Sequence, residues 1–147
     1  MQSKIKKILL VLIVILITGC SNNKVELPKE NNDLGVNNQV KVLIDKKGYT
    51  INLEDNETAK VFVNMLPLEL NMNELNGNEK YVYLDRKLPV NPSNINKINA
   101  GDVMIYGNDC LVIFYKSFTS SYSYTKIGHI DNLPDLGNDN VSVRFWH

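Results

Sequence analysis

Cysteine, histidine and arginine are all scarce in this chain, with two of each among 147 residues. Two cysteines cannot build the disulfide framework that stabilises many small exported folds. His129 and His147 stand 18 residues apart and neither joins a closely spaced ligand set, so no metal site is expected. Glycine-rich phosphate loops and Gly-x-Ser-x-Gly runs are absent, and no Ser/His/Asp spacing can be read. Basic clusters are missing from the body of the chain. Formal net charge is zero, but Lys4, Lys6 and Lys7 precede an apolar run; without them 13 positive charges face 16 negative ones, a net of −3. A mildly acidic domain without a Lys/Arg patch excludes phosphate-backbone binding, so nucleic acid is not a partner. No cofactor is expected either. What is present, 44% hydrophobic and 22% charged residues, suits one globular domain.

The most readable segment comes first. Met1–Lys7 is short and basic, and Ile8–Ile17 is an unbroken aliphatic run. As a helix this run spans about 15 Å, roughly half of a hydrocarbon core, which is too short for a stable membrane span. A basic start, a short apolar run and small residues behind it describe an export signal peptide over residues 1–19. The closing Ile17-Thr18-Gly19-Cys20 resembles the bacterial lipobox. That resemblance implies a thioether-linked diacylglycerol on Cys20, cleavage just before it, and an extracytoplasmic protein anchored to the bacterial cell membrane by its acyl chains. Each buried methylene contributes about 0.8 kcal/mol, so two or three chains hold firmly. Residues 20–39 carry Asn, Lys, Glu and Gly without sustained periodicity and read as a flexible tether. With Cys20 lipidated, Cys110 has no intrachain partner. It lies within the apolar run Cys110–Tyr115 and reads as a buried structural thiol.

The folded domain is expected over 40–147. Val40, Val42 and Ile44 alternate with polar residues, as do Tyr49, Ile51 and Leu53, which predicts a hairpin turning at Asp45–Gly48. Asp55 or Asn56 can cap a helix starting near Glu57. Its Ala59, Phe62, Val63 and Leu66 share one face, and Pro67 stops it. Strands follow at Leu68–Met72 and Lys80–Leu84, joined through Asn76-Gly77-Asn78. Leu88–Ala100 reads as an irregular connection with one helical turn at Ser93–Asn96. Val103–Tyr106 and Cys110–Tyr115 flank a Gly107-Asn108-Asp109 turn, and further strands are expected at Ile127–Ile130 and over Val141, Val143 and Phe145. Asp102 and Asp109 bracket the second hairpin and read as turn and hydrogen-bond formers. Seven or eight short antiparallel strands shed their exposed edges best by closure. The expected fold is therefore mainly β, a small closed barrel with one or two capping helices.

Glu79-Lys80-Tyr81, Leu88-Pro89, Ala100-Gly101-Asp102 with Tyr106-Gly107, Cys110–Tyr115 and Ser123–Gly128 together resemble the bacterial cyclophilin-like domain family. The resemblance implies a cyclophilin-like β-barrel and leaves the activity open. True cyclophilins are prolyl isomerases marked by a Phe-His-Arg run on a strand, whose guanidinium binds the substrate carbonyl. Leu68–Met72 contains no such run, and Arg86 falls after a strand in a turn beside Lys87, where a solvated charge is its simplest role.

One further segment stands out. Phe118–Thr125 sets two tyrosines and five hydroxyl residues behind a phenylalanine, and Tyr81, Tyr83, Tyr106 and Tyr115 add to the tyrosine content. Tyrosine gives large contact area at low entropy cost together with a polar tip, a combination typical of recognition surfaces. The alternative is that these rings pack on the barrel and their hydroxyls satisfy a strand edge. The candidate ligand-binding set is Tyr83, Arg86, Phe118, Tyr122, Tyr124 and His129, although His129, between Gly128 and Ile130, also suits a hydrogen-bonded structural role. The expected function is a membrane-tethered, non-catalytic binding module for a peptide or small ligand. The alternatives are a peptidyl-prolyl isomerase assisting exported chains and an accessory lipoprotein acting through a protein partner.

Overall fold

In the computed structural model, residues 38–147 are described; the expected signal peptide, Cys20 and most of the expected tether lie outside them. The elements run β1 (Gln39–Ile44), β2 (Lys47–Leu53), α1 (Glu57–Val63), β3 (Leu68–Leu75), β4 (Glu79–Tyr83), β5 (Ser93–Asn94), β6 (Lys97–Ile98), β7 (Asp102–Tyr106), β8 (Cys110–Phe114), β9 (Phe118–Thr119), β10 (Ser123–Ile130) and β11 (Val141–Trp146). The strands pair antiparallel in the order β2-β1-β11-β3-β4-β8-β7-β10, and β10 returns to β2 through Gly128↔Leu53 to Ile130↔Ile51. Eight strands thus close a barrel, as the count of short strands led us to expect. Two short additions sit outside it: β5 extends β10, and β6 pairs with β9.

Period-two alternation sorts the side chains. From β1, β8 and β11, Val40, Val42, Ile44, Leu111, Ile113, Val143 and Phe145 enter one interior cluster. Burying each such side chain contributes about 1.5–3 kcal/mol. Helix α1 begins at Asn56, whose Oδ1 accepts the Ala59 N–H at 2.8 Å, and it presses Ala59 and Phe62 into this core. Phe62 meets Phe145 edge-on at 5.3 Å, at the end of the barrel where Phe145 pairs with Leu68.

The far end is closed by polar chemistry. Lys80 points inward from β4 and is fully buried, with Nζ donating to Glu74 Oε2, to the Gly137 carbonyl at 2.6 Å and to the Asp139 carbonyl at 2.8 Å. The Tyr115 hydroxyl donates to the same Glu74 oxygen at 2.9 Å, and Glu74 Oε1 accepts the Gly77 N–H at 2.6 Å. Burial pushes the Glu74 carboxyl up, but Lys80, Tyr115 and Gly77 outweigh it and leave the group below its ordinary value. One ion pair thereby ties β3 and β4 to the loop ahead of β11.

Three local expectations change. The first turn is Asp45-Lys46, held to β11 by Asp45 N–H on the Ser142 carbonyl at 2.7 Å, while Gly48 lies within β2. Ser93–Asn94 is extended instead of helical, because Asn94 and Ser93 pair with Ser123 and Tyr124 of β10. Strand β10 starts at Ser123, not Ile127, so the hydroxyl-rich stretch is largely strand, with a bulge between Lys126 and Gly128. Gly128 is needed where β10 meets β2, since a Cβ there would collide with the Asn52 carbonyl oxygen.

Candidate functional site

The outer face of the same wall carries a second apolar cluster. Met104, Cys110, Val112, Phe114 and Tyr124 face outward and are covered by Ile98, Ile95 and Phe118 from the β5–β6 and β9 segments. The cover stops short of the strand ends, and there a groove of about 350 Å³ opens. Register explains its shape. Cys110 of β8 lies between Tyr83 of β4 and Tyr106 of β7, and Val112 lies beside Tyr81. Small residues on the middle strand with tyrosines on either side leave a trough whose floor is Cys110 and Val112.

The walls are aromatic and partly free. Tyr81 and Tyr83 meet edge-on at 6.1 Å; across the trough Tyr106 is 6.0 Å from Tyr122 and 5.6 Å from Tyr124. Tyr124 is buried against Phe114, whereas Tyr83 and Tyr122 are 65% and 61% exposed. Phe118 adds to the lining where it packs on Phe114. At the far end stand Leu75, Asn76, Asn78 and Glu79. Among the described residues, Glu79 is the charged residue of the lining, and no Lys, Arg or His shares it. Burial, with a smaller push from Glu74, holds the Glu79 carboxyl above its ordinary value. Asn78 Oδ1 is buried without a hydrogen-bond partner among the described residues.

Four of the six candidates therefore meet in one place: Tyr83, Phe118, Tyr122 and Tyr124 line the groove. Arg86 does not; it is exposed in the turn after β4. His129 does not either. It pairs with Asp102 at the start of β7, four residues or about 13 Å of strand from Tyr106. Its Nδ1 lies 2.9 Å from Asp102 Oδ1, which also takes Lys126 Nζ at 3.1 Å, while Asp102 Oδ2 accepts the Asn99 N–H at 2.8 Å. Burial raises the Asp102 carboxyl, but the Asn99 amide, His129 and Lys126 together bring it below its ordinary value. Nearby Gly101 has φ +98, and a Cβ on it would strike the Ile130 carbonyl oxygen, so this corner is tightly built.

Tyr81, Tyr106 and Glu79 join the groove without having entered the candidate set. For Glu79 and Tyr81 the signal is the alternation Glu79-Lys80-Tyr81-Val82-Tyr83, with Lys80 and Val82 inward, and for Tyr106 it is Val103-Met104-Ile105-Tyr106, with Val103 and Ile105 inward. The Cys110 thiol is buried, and burial, Asp109 and Glu79 push it up to about 11, so it is a thiol and not a thiolate nucleophile at neutral pH.

The profile of the cyclophilin-like family matches residues 42–145, nearly the whole barrel. The chain belongs to the cyclophilin-like family. Among solved structures, a hypothetical protein of Archaeoglobus fulgidus is similar at 18% identity, covering 74% of this chain and 92% of that one with a TM-score of 0.48, a likeness too loose to carry any functional argument. No curated protein matches. As in any superfold, family membership assigns the barrel, and what this cyclophilin-like domain does has to be argued from its groove.

Proposed function

We propose that this cyclophilin-like domain is a non-catalytic binding module, carried on a bacterial lipoprotein anchored through Cys20, and that its groove takes a small amphipathic ligand or a short peptide segment. The observation that carries the reading is the trough over Cys110 and Val112 with Tyr81 and Tyr83 on one side and Tyr106, Tyr122 and Tyr124 on the other. Its volume falls at the low end of the roughly 300–1,000 Å³ of small-ligand sites. Prolyl isomerisation gains from a cationic donor on the substrate carbonyl, and no cation lines this groove among the described residues. Binding without turnover is what the lining supports.

The groove is tested by titrating the full chain, in detergent micelles, with proline-containing peptides and amphipathic small molecules while following amide resonances and prolyl exchange by NMR. Shifts confined to the tyrosine walls without faster exchange are expected. Catalysed exchange would overturn the non-catalytic reading and favour an isomerase. For the anchor, an alkyne fatty acid fed to a bacterial host should label the chain and leave Cys20→Ala unlabelled.

A further inference from the structure

The groove is asymmetric in charge. Its rings offer negative π-faces and, among the described residues, Glu79 offers a carboxylate with no cation in the lining to neutralise it and Asn78 Oδ1 is an acceptor with no donor. Acceptors and π-faces without positive charge disfavour an anion and leave the lining's negative charge to be met by a cation on the ligand. We propose that the groove selects a small organic ammonium ion, whose charged head sits at the Glu79 end while its apolar part lies over Cys110 and Val112 between the tyrosines. The inference rests on the binding-module reading and names its ligand class.

Three features favour an ammonium over other guests. Tyr81 stands two residues from Glu79 on the same outer face of β4, about 7 Å of strand, which brings an aromatic ring to the Glu79 end of the trough. Glu79 is half-buried, and a carboxylate held there by burial gains most from a partner that brings a positive charge. The trough holds about 350 Å³, enough for a metabolite-sized molecule. A folded partner would need roughly 1,000 Å² or more of matched surface.

The test compares choline with its uncharged carbon isostere 3,3-dimethyl-1-butanol, titrated into the full chain in detergent micelles and read by NMR. Choline is expected to shift Tyr81, Tyr83, Tyr106 and Cys110 amides and to bind at least about fivefold more tightly than the alcohol, within the range of cation–π and charge pairing. Glu79→Gln should lower choline affinity to that of the alcohol. Because Glu79 neighbours the interior Lys80, Tyr81→Leu serves as a second variant, at the ring next along the same face, and should also weaken choline. Equal affinity for both probes would overturn the ammonium proposal and leave the groove as an apolar binding site. If neither probe shifts the groove but proline peptides do, the ammonium class falls and the binding-module reading stands; silence from all three overturns both. Tighter, Glu79-dependent binding of N-acetyl-lysine N-methylamide would assign the ammonium to a peptide side chain and overturn the small-molecule ligand.

Discussion

Two glutamates six residues or fewer from Lys80 show how differently this barrel treats its inside and its outer wall. Glu74, at the end of β3, faces a complete set of partners: Lys80, the Tyr115 hydroxyl and the Gly77 amide. Glu79, at the start of β4, faces the groove and has none of opposite charge in the lining. Both are partly withdrawn from water, yet one carboxyl sits below its ordinary value and the other above it. A polar group satisfied from within the chain serves the fold, while one left short of a partner is open to a ligand. Strand β8 makes the same division one residue at a time, with Leu111 and Ile113 in the interior and Cys110 and Val112 under the groove.

The most damaging test of this contrast is Lys80→Met. It removes the cation while leaving Glu74 and the Gly137 and Asp139 carbonyls without their donor, and breaking a buried pair from one side costs about 3–5 kcal/mol. Urea denaturation should show that loss. A stability change near zero would mean the interior polar plug is not structural.

The paired glutamates give the next largest effect, through pH. Glu74→Gln should cost about 1.5–3 kcal/mol at neutral pH, the range for a hydrogen bond to a charged group. Since its folded pKa is lowered from 4.5, the carboxylate's contribution is present above that value and is lost as pH falls through the folded pKa. The wild-type and Glu74→Gln stability curves should therefore converge in acid. Glu79 has the opposite sign: its folded pKa is raised from 4.5, so its contribution is favourable when protonated and is lost as pH rises through the raised value. Glu79→Gln should leave neutral-pH stability equal or slightly higher. Parallel pH profiles for the two variants would erase the distinction between them.

Much of this was legible in the residues. Alternation over Val40–Ile44, the apolar run Cys110–Tyr115, the Asn56 cap and the turn at Gly107-Asn108-Asp109 are local signals, and the elements form where those signals lie. The clustering of Tyr83, Phe118, Tyr122 and Tyr124 follows from tyrosine chemistry, but their meeting depends on β4 and β10 sharing a wall through β8 and β7. Pairing partners far apart in the chain leave no local trace. For the same reason Ser93–Asn94 misled: its backbone hydrogen bonds come from β10, about thirty residues on, and override a local preference for a helical turn. Lys80 was visible only as a charge within a strand, and its three acceptors come from β3 and from a loop some sixty residues away.

A smaller effect separates the two faces of β8. Ile113→Val removes one methylene from the closed interior and should cost about 0.5–1.5 kcal/mol without altering ligand binding, since Ile113 lies in the interior cluster and not in the groove. A binding change as large as that of a groove variant would mean the two faces are mechanically coupled.

The smallest expected change in stability comes from Tyr83→Ser on the outer wall. Tyr83 is 65% exposed and its ring contact is the edge-on meeting with Tyr81, so its removal should stay within about 0.5 kcal/mol. Its effect on recognition should be out of proportion to that. Tyr83 pairs with Cys110 on the floor, and losing its ring opens one wall of the trough beside the ligand's apolar part. Choline binding should weaken about two- to fivefold while the urea midpoint hardly moves. The interior variants should do the reverse, and this crossing of effects is what a barrel with a structural inside and a recognising outer wall requires. If Tyr83→Ser unfolds the chain as readily as Lys80→Met, the tyrosines are holding the barrel together, and the outer wall is a second core in place of a site.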